Sequence, residues 1–151
     1  MIATHSEIRS TLNSLIETCK DGQEGFRVAA ENIDDPTLKT TLGMFSLQRS
    51  KFAGDLQQAA IKLGEHDPEN SGSAAGAIHR CWINLKTAIV GKNQYQILAE
   101  CEAGEDSAVS EYKKALETEL PADVAALVRD QYREVQATHN AVKRLRDAAK
   151  K

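Results

Sequence analysis

Apolar residues recur every three or four positions along this chain, in four long runs and one shorter run, which is the period of an α-helix. Thr4 and Glu7 have the spacing of a capping box, so the first helix is expected to begin there. Asp35 and Pro36 predict the end of that helix and the start of the next. The predicted apolar face of the first helix comprises Ile8, Leu12, Leu15, Cys19, Phe26, Ala30 and Ile33.

The later part of the chain continues the pattern after a break. The second stripe stops at Gly64, and residues 64–72 read as a loop rich in Gly, Asp, Pro, Asn and Ser. A shorter helix is predicted from Ser73 to Gly91, and Asn93 is expected to cap the next long one. Pro121 restarts the last helix. The predicted stripes are Leu38, Leu42, Phe45, Phe52, Leu56 and Leu63; Ile78, Trp82, Leu85 and Ile89; Leu98, Glu102, Glu105, Val109, Tyr112 and Leu116; and Val124, Val128, Gln131, Val135, Thr138, Val142 and Leu145.

A short sequence motif occurs twice within these helices. Cys19-x-x-Gly22 and Cys101-x-x-Gly104 are each followed by polar residues, a proline and a further helical pattern. The layout predicts two helical hairpins, at about 4–63 and 93–149, joined by a crossover over 64–92. The whole chain, 1–151, is expected to form a single all-α domain, a ferritin-like four-helix bundle with a short extra helix in the crossover.

Composition narrows the class of protein. The chain has 151 residues, of which 41% are hydrophobic and 27% charged, the balance of a globular domain. A net charge of −3 with interspersed signs gives no reason to expect nucleic acid or an anionic membrane as partner. No run approaches the length of a membrane span, and no export signal precedes the three cysteines. A cytoplasmic location is therefore expected.

Several polar residues fall on the predicted inner faces, and buried carboxylates need partners. One interpretation is a polar network in which Arg49 binds Glu105 or Glu102, with no cofactor. The alternative is a carboxylate site for iron or manganese made by Glu102, Glu105 and His139. A full two-metal site is not supported, because amides stand where carboxylates are needed. The inner polar set is Gln23, Gln48, Arg49, Glu102, Glu105, Gln131 and His139.

Two further features leave alternatives open. Cys19 and Cys101 occupy matching inward positions and are expected either to pack as small apolar residues or to form a redox pair. Trp82 and the small residues 74–78 are expected either to cover their own bundle or to form a dimer contact. No arrangement of nucleophile, histidine and acid is recognisable, so no catalytic residue is predicted.

The chain resembles a family of uncharacterised bacterial ferritin-like bundle proteins related to the stress-associated YciE and YciF proteins. The resemblance rests on the phrases at residues 15–27, 48–53, 71–86 and 100–106 and extends from about Ile8 to Asp147. It implies a ferritin-like bundle and, by analogy, a setting of oxidative or metal stress, without an established activity. The predicted function is self-association, as a dimer, or binding of a protein partner, with a degenerate metal site. The alternative is a metal-binding protein or oxidase.

Overall fold

The computed structural model describes residues 4–64, 82, 85–91 and 93–150, and the described residues form five α-helices. The expectation of an all-α protein is confirmed. The loop at 65–72 and the predicted helical residues 73–81 lie outside the described residues, as do the small residues 74–78. The helices are α1 (His5–Asn32), α2 (Pro36–Lys62), α3 (Leu85–Gly91), α4 (Gln94–Ala115) and α5 (Ala122–Ala149).

Local sequence determines where these helices begin. Thr4 accepts a hydrogen bond from the backbone of Glu7 while Glu7 accepts one from the backbone of Thr4, so the predicted capping box is present. Asp35 accepts from two backbone amides at the start of α2, with Pro36 in the first turn. Asn93 caps α4 by accepting from the amide of Gln96. These three predicted helix starts are confirmed.

The four long helices surround a common interior. Contacting residues show that α1 and α5 each run antiparallel to both α2 and α4, since early residues of one helix meet late residues of the other. It follows that α2 and α4 run in the same direction, so the end of α2 and the beginning of α4 lie at opposite ends of the bundle, about one helix length of roughly 40 Å apart. The contacting pairs are Gln23–Ser46 and Ala30–Lys39, Cys19–Tyr112 and Thr11–Thr118, Gln48–Thr138 and Phe52–Gln131, and Glu102–Arg146 and Tyr112–Gln131.

The interior has two apolar clusters, one toward each end of the bundle. The first joins the beginning of α1 to the ends of α2 and α4, and includes Leu15, Cys19 and Tyr112. The second joins the end of α1 to α3 and the beginning of α4, and includes Trp82 and Cys101. Within the described ranges, no helix is long and apolar enough to cross a membrane. The buried polar residues described next lie between and beside these two clusters.

Candidate functional site

A charged pair lies in the middle of the bundle. Arg49 of α2 donates two hydrogen bonds to Glu105 of α4, from Nη1 to Oε1 at 2.6 Å and from Nη2 to Oε2 at 2.5 Å. The two side chains are 1% and 0% exposed. Both carboxylate oxygens are thus occupied by one guanidinium in a two-pronged geometry, which is the strongest arrangement available to this pair.

The surroundings of Arg49 are shaped to hold a long cationic side chain. Gly22 of α1 faces it, and a Cβ at that position would lie 3.2 Å from Nη1. The guanidinium carbon lies 5.5 Å from the centre of the Phe26 ring, within the range of a cation–π contact. Nε donates to Gln48 at 3.3 Å. Burial lowers the pKa of Arg49, but the charge and hydrogen bonds of Glu105 outweigh it, so the pKa is raised and the group stays cationic.

A second group of polar side chains adjoins this pair. Tyr112 Oη donates to Gln131 at 2.7 Å and lies 3.0 Å from Cys19 Sγ. Gln131 in turn donates to the backbone oxygen of Phe52 at 3.3 Å, so α1, α2, α4 and α5 are linked through one chain of contacts. All these side chains are buried. The network satisfies its donors and acceptors internally, as buried polar groups require.

The cysteines behave as core residues. Burial raises the pKa of Cys19 to about 11, although the Tyr112 hydrogen bond acts in the opposite direction. Burial also raises the pKa of Cys101, and both thiols are free. Because α1 and α4 are antiparallel, the residue of α1 that lies opposite Cys101 is about ten residues beyond Cys19. The two cysteines are therefore roughly 15 Å apart along the helix axis. This arrangement excludes the redox pair between them and leaves the packing role.

Trp82 is inserted between two helices. A Cβ added at Gly25 of α1 would lie 2.3 Å from the indole ring, and one added at Gly104 of α4 would lie 2.2 Å from it. The indole is 7% exposed and packs edge-on against Phe26, with ring centres 5.4 Å apart. Trp82 therefore covers its own bundle, and its side chain is not available as the anchor of a dimer contact.

Two predicted inner residues lie at the edge of the bundle instead. Glu102 is only partly buried and is bound by Arg146 of α5, so its placement on the inner face was wrong. The inner face of α4 is centred on Cys101, Glu105 and Ala108, which turns Glu102 toward α5. His139, also counted in the inner polar set, is 20% exposed, and its Nε2 lies 2.5 Å from Oδ1 of the exposed Asp106.

The three remaining residues of the inner polar set, all glutamines, have different hydrogen-bond partners. Gln48 accepts from Arg49 and from Thr138, so it belongs to the surroundings of the charged pair. Gln131 accepts from Tyr112 and belongs to the network. Gln23 is half-buried, and its backbone oxygen accepts from Ser46 at 2.8 Å. Tyr112 was predicted as an apolar stripe residue, although its position seven residues after Glu105 places it on the same inward face of α4, where its hydroxyl needs a polar partner.

The donor set does not fit a metal ion. Glu105, Glu102 and His139 bind Arg49, Arg146 and Asp106 respectively, so the three proposed ligands point to different partners. Nowhere in the described part of the chain do three or more His, Cys, Asp or Glu side chains form a group able to hold one. A guanidinium beside Glu105 also repels a cation.

Comparison with known sequences identifies the family. No curated protein matches this chain. One family profile matches residues 7–118, which covers α1 to α4 together with Arg49, Glu105 and Trp82, and leaves α5 outside the matched range. The chain therefore belongs to the family described as Domain of unknown function (DUF2383).

Proposed function

We propose that this chain is a ferritin-like helical bundle whose interior is a closed structural network, and that it acts by associating with a protein chain. The single observation that supports the closed interior is the two-pronged Arg49–Glu105 pair at the centre of the bundle. In carboxylate-bridged bundles, inward Glu side chains from several helices hold the metal ions. Here the carboxylate in that region is neutralised by an arginine.

The direction of the helices supports the ferritin-like assignment. In the two antiparallel pairs, α1 with α2 and α4 with α5, the helices α2 and α4 run in the same direction, so α2 ends at the opposite end of the bundle from the start of α4. One long crossover is what distinguishes ferritin-like bundles from simple up-and-down bundles. The fold supplies no activity by itself, so the proposal rests on the residues of the interior.

The rival function is that of an iron- or manganese-binding protein or oxidase using Glu102, Glu105 and His139. Metal content separates the two. The protein is purified without chelator, and a second sample is loaded anaerobically with ferrous iron; both are measured by plasma mass spectrometry. We expect less than stoichiometric metal in both samples.

Two variants are used so that the test can be interpreted even when one of them does not fold. Stoichiometric iron or manganese that disappears in Glu105→Ala would contradict the proposal. Because Glu105→Ala leaves Arg49 buried without its partner and is expected to be strongly destabilised, Glu102→Gln is measured alongside it. Glu102 is at the bundle edge, so this variant is expected to fold, and it removes a ligand that the rival site requires. Glu24→Gln, at an exposed position of α1, is the matched control.

A further inference from the structure

The buried side chains of the four long helices recur every seven residues. Seven residues advance an α-helix by about 10.5 Å and bring it within about 20° of two full turns, so such residues lie on one line along the helix. On four of these lines every residue is at most 1% exposed. The lines are Leu12, Cys19 and Phe26 on α1; Leu42, Arg49 and Leu56 on α2; Leu98, Glu105 and Tyr112 on α4; and Val128, Val135 and Val142 on α5.

A repeat of this kind leaves the axial position of the helices ambiguous. We call α1 with α2 the first hairpin and α4 with α5 the second. Residues 33–35 join α1 to α2, so the first hairpin slides as a unit. After a slide of seven residues along the second hairpin, its apolar residues meet the same apolar lines, and α5 presents valine at each step. The apolar pattern alone therefore selects no single register.

The Arg49–Glu105 pair removes this ambiguity. Arg49 belongs to the first hairpin and Glu105 to the second, and each lies between larger apolar residues of its own line. A slide of seven residues brings Arg49 level with Leu98 or with Tyr112, depending on its direction, and brings Glu105 level with a leucine of α2. In either shifted register both charges are buried without their partner, which is strongly unfavourable.

The other polar contacts between the hairpins discriminate less. Gln131 donates to the backbone oxygen of Phe52, and a backbone oxygen occurs at every residue of α2. The second partner of Gln131, Tyr112, belongs to the same hairpin and moves with it. A slide takes from Cys19 only the contact of an uncharged thiol with the Tyr112 hydroxyl. The charged pair is therefore the polar contact that best distinguishes one register from the next.

Trp82 is a second feature that depends on the register. Its indole fits only where Gly25 of the first hairpin and Gly104 of the second lie close to each other. A slide of seven residues would bring a residue with a side chain to the place of one of these glycines. Because Trp82 does not contact the carboxylate of Glu105 through a hydrogen bond, the two features can be separated by substituting the charged pair alone.

We propose that the Arg49–Glu105 pair fixes the register in which the two hairpins pack and thereby excludes bundles that are shifted by seven residues. Single buried polar residues set the register of coiled coils in the same way. This inference rests on one part of the proposed function, the interior as a structural network, and it assigns that network a task other than stability.

Disulfide trapping in the full chain reports the register directly. The side-chain oxygens of Thr11 and Thr118 are 3.5 Å apart, so cysteines at these two positions mark the native register. Thr11 with Glu111 marks a slide in one direction, and Thr18 with Thr118 marks the opposite slide. Each shifted pair is seven residues, or roughly 10 Å, out of register in the native bundle, beyond the Cα separation of about 7 Å that a disulfide can span. All variants also carry Cys81→Ser.

With Arg49 and Glu105 in place, we expect mild oxidation to link the native pair and neither shifted pair. With Arg49→Leu/Glu105→Leu, the yield of at least one shifted disulfide should rise at least tenfold. Arg49→Met/Glu105→Met repeats the test with side chains that adapt to the available space. Leu56→Met/Leu98→Met, at buried neighbours of the pair on the same lines, is the matched control and should give the native disulfide alone.

Two outcomes would overturn this inference. If the native disulfide alone forms in both apolar variants, Trp82 is sufficient to set the register and the charged pair is not needed for it. If neither apolar variant folds, the apolar pattern cannot support the bundle without the pair, and no shifted register competes. Neither outcome bears on the proposal that the interior is closed to metal, which fails instead on stoichiometric metal in the loading experiment.

Discussion

Two arginine–glutamate pairs involve the same helix, three residues apart, and differ in what surrounds them. Glu105 and Arg49 are 0% and 1% exposed, whereas Glu102 and Arg146 are 13% and 23% exposed. The first pair joins α2 to α4 across the interior and is held by Gly22 and Phe26. The second joins α4 to α5 at the edge. Removing one partner leaves a buried, unpaired charge only in the first pair. The loss of stability should therefore be large for the buried pair and small for the edge pair.

The largest expected effect is that of Arg49→Leu. It leaves Glu105 buried without a cation, which should lower the free energy of unfolding by about 3–5 kcal/mol. Urea unfolding followed by circular dichroism measures the change. A loss below about 1 kcal/mol would mean that the buried pair behaves like a surface pair, and the contrast between the two pairs would disappear.

A smaller effect is expected from Gly104→Ala, which tests how the buried pair is shielded. The new Cβ would overlap the Trp82 ring, so the indole must move; overpacking of this kind costs about 1–3 kcal/mol. Tryptophan fluorescence should shift to longer wavelength as the ring meets water. The sequence has one tryptophan, so the signal is unambiguous. Unchanged fluorescence and stability would show that Trp82 does not shield the Arg49–Glu105 pair from water.

Alkaline pH should weaken the buried layer while leaving the edge pair unaffected. Burial raises the pKa of Cys19 from its ordinary value of 9.0 to about 11, and burial also raises that of Tyr112. The folded state therefore binds these protons more tightly than the unfolded state does. Stability is full below pH 9 and falls between about pH 9 and 11, by up to about 1.4 kcal/mol per unit of elevation.

The urea midpoint measured at several pH values checks this slope. Cys19→Ala should be less stable at neutral pH but should show a shallower decline above pH 9, because one of the raised groups is gone. An equal slope in the variant and the wild type would show that Cys19 does not contribute to the alkaline loss.

The smallest effect is expected from Arg146→Ala. Its partner Glu102 keeps access to water, so the urea midpoint should change little, and any change should shrink as salt is added. Arg144→Ala, at an exposed neighbouring position, is the control. A loss as large as that of Arg49→Leu would show that the edge pair is as important as the buried one.

The sequence predicted the helices well because their signals are local. Thr4, Asp35 and Asn93 each cap the helix that follows, and the seam of α5 from Val124 to Val142 is buried as predicted. Such signals act within one turn of the helix, so they do not depend on tertiary contacts.

The two glutamates could not be separated in the same way. Glu102 and Glu105 lie about 60° apart on α4, and both fall within a stripe drawn from Leu98 to Val109. Which one is buried depends on Arg49 and Arg146, which lie in distant helices. Trp82 was ambiguous for the same reason, because the space it fills is made by glycines on α1 and α4. These are tertiary contacts with no local signal.

The coupling between Arg49 and Glu105 tests the central claim most directly. Arg49→Leu, Glu105→Leu and the double variant are compared with wild type by urea unfolding, in a double-mutant cycle. We predict that each single variant is strongly destabilised, and that the double variant recovers much of the loss because no buried charge remains, giving a coupling of about 3 kcal/mol or more. Additive losses, with a coupling below about 0.5 kcal/mol, would contradict the account of a closed ion-pair interior.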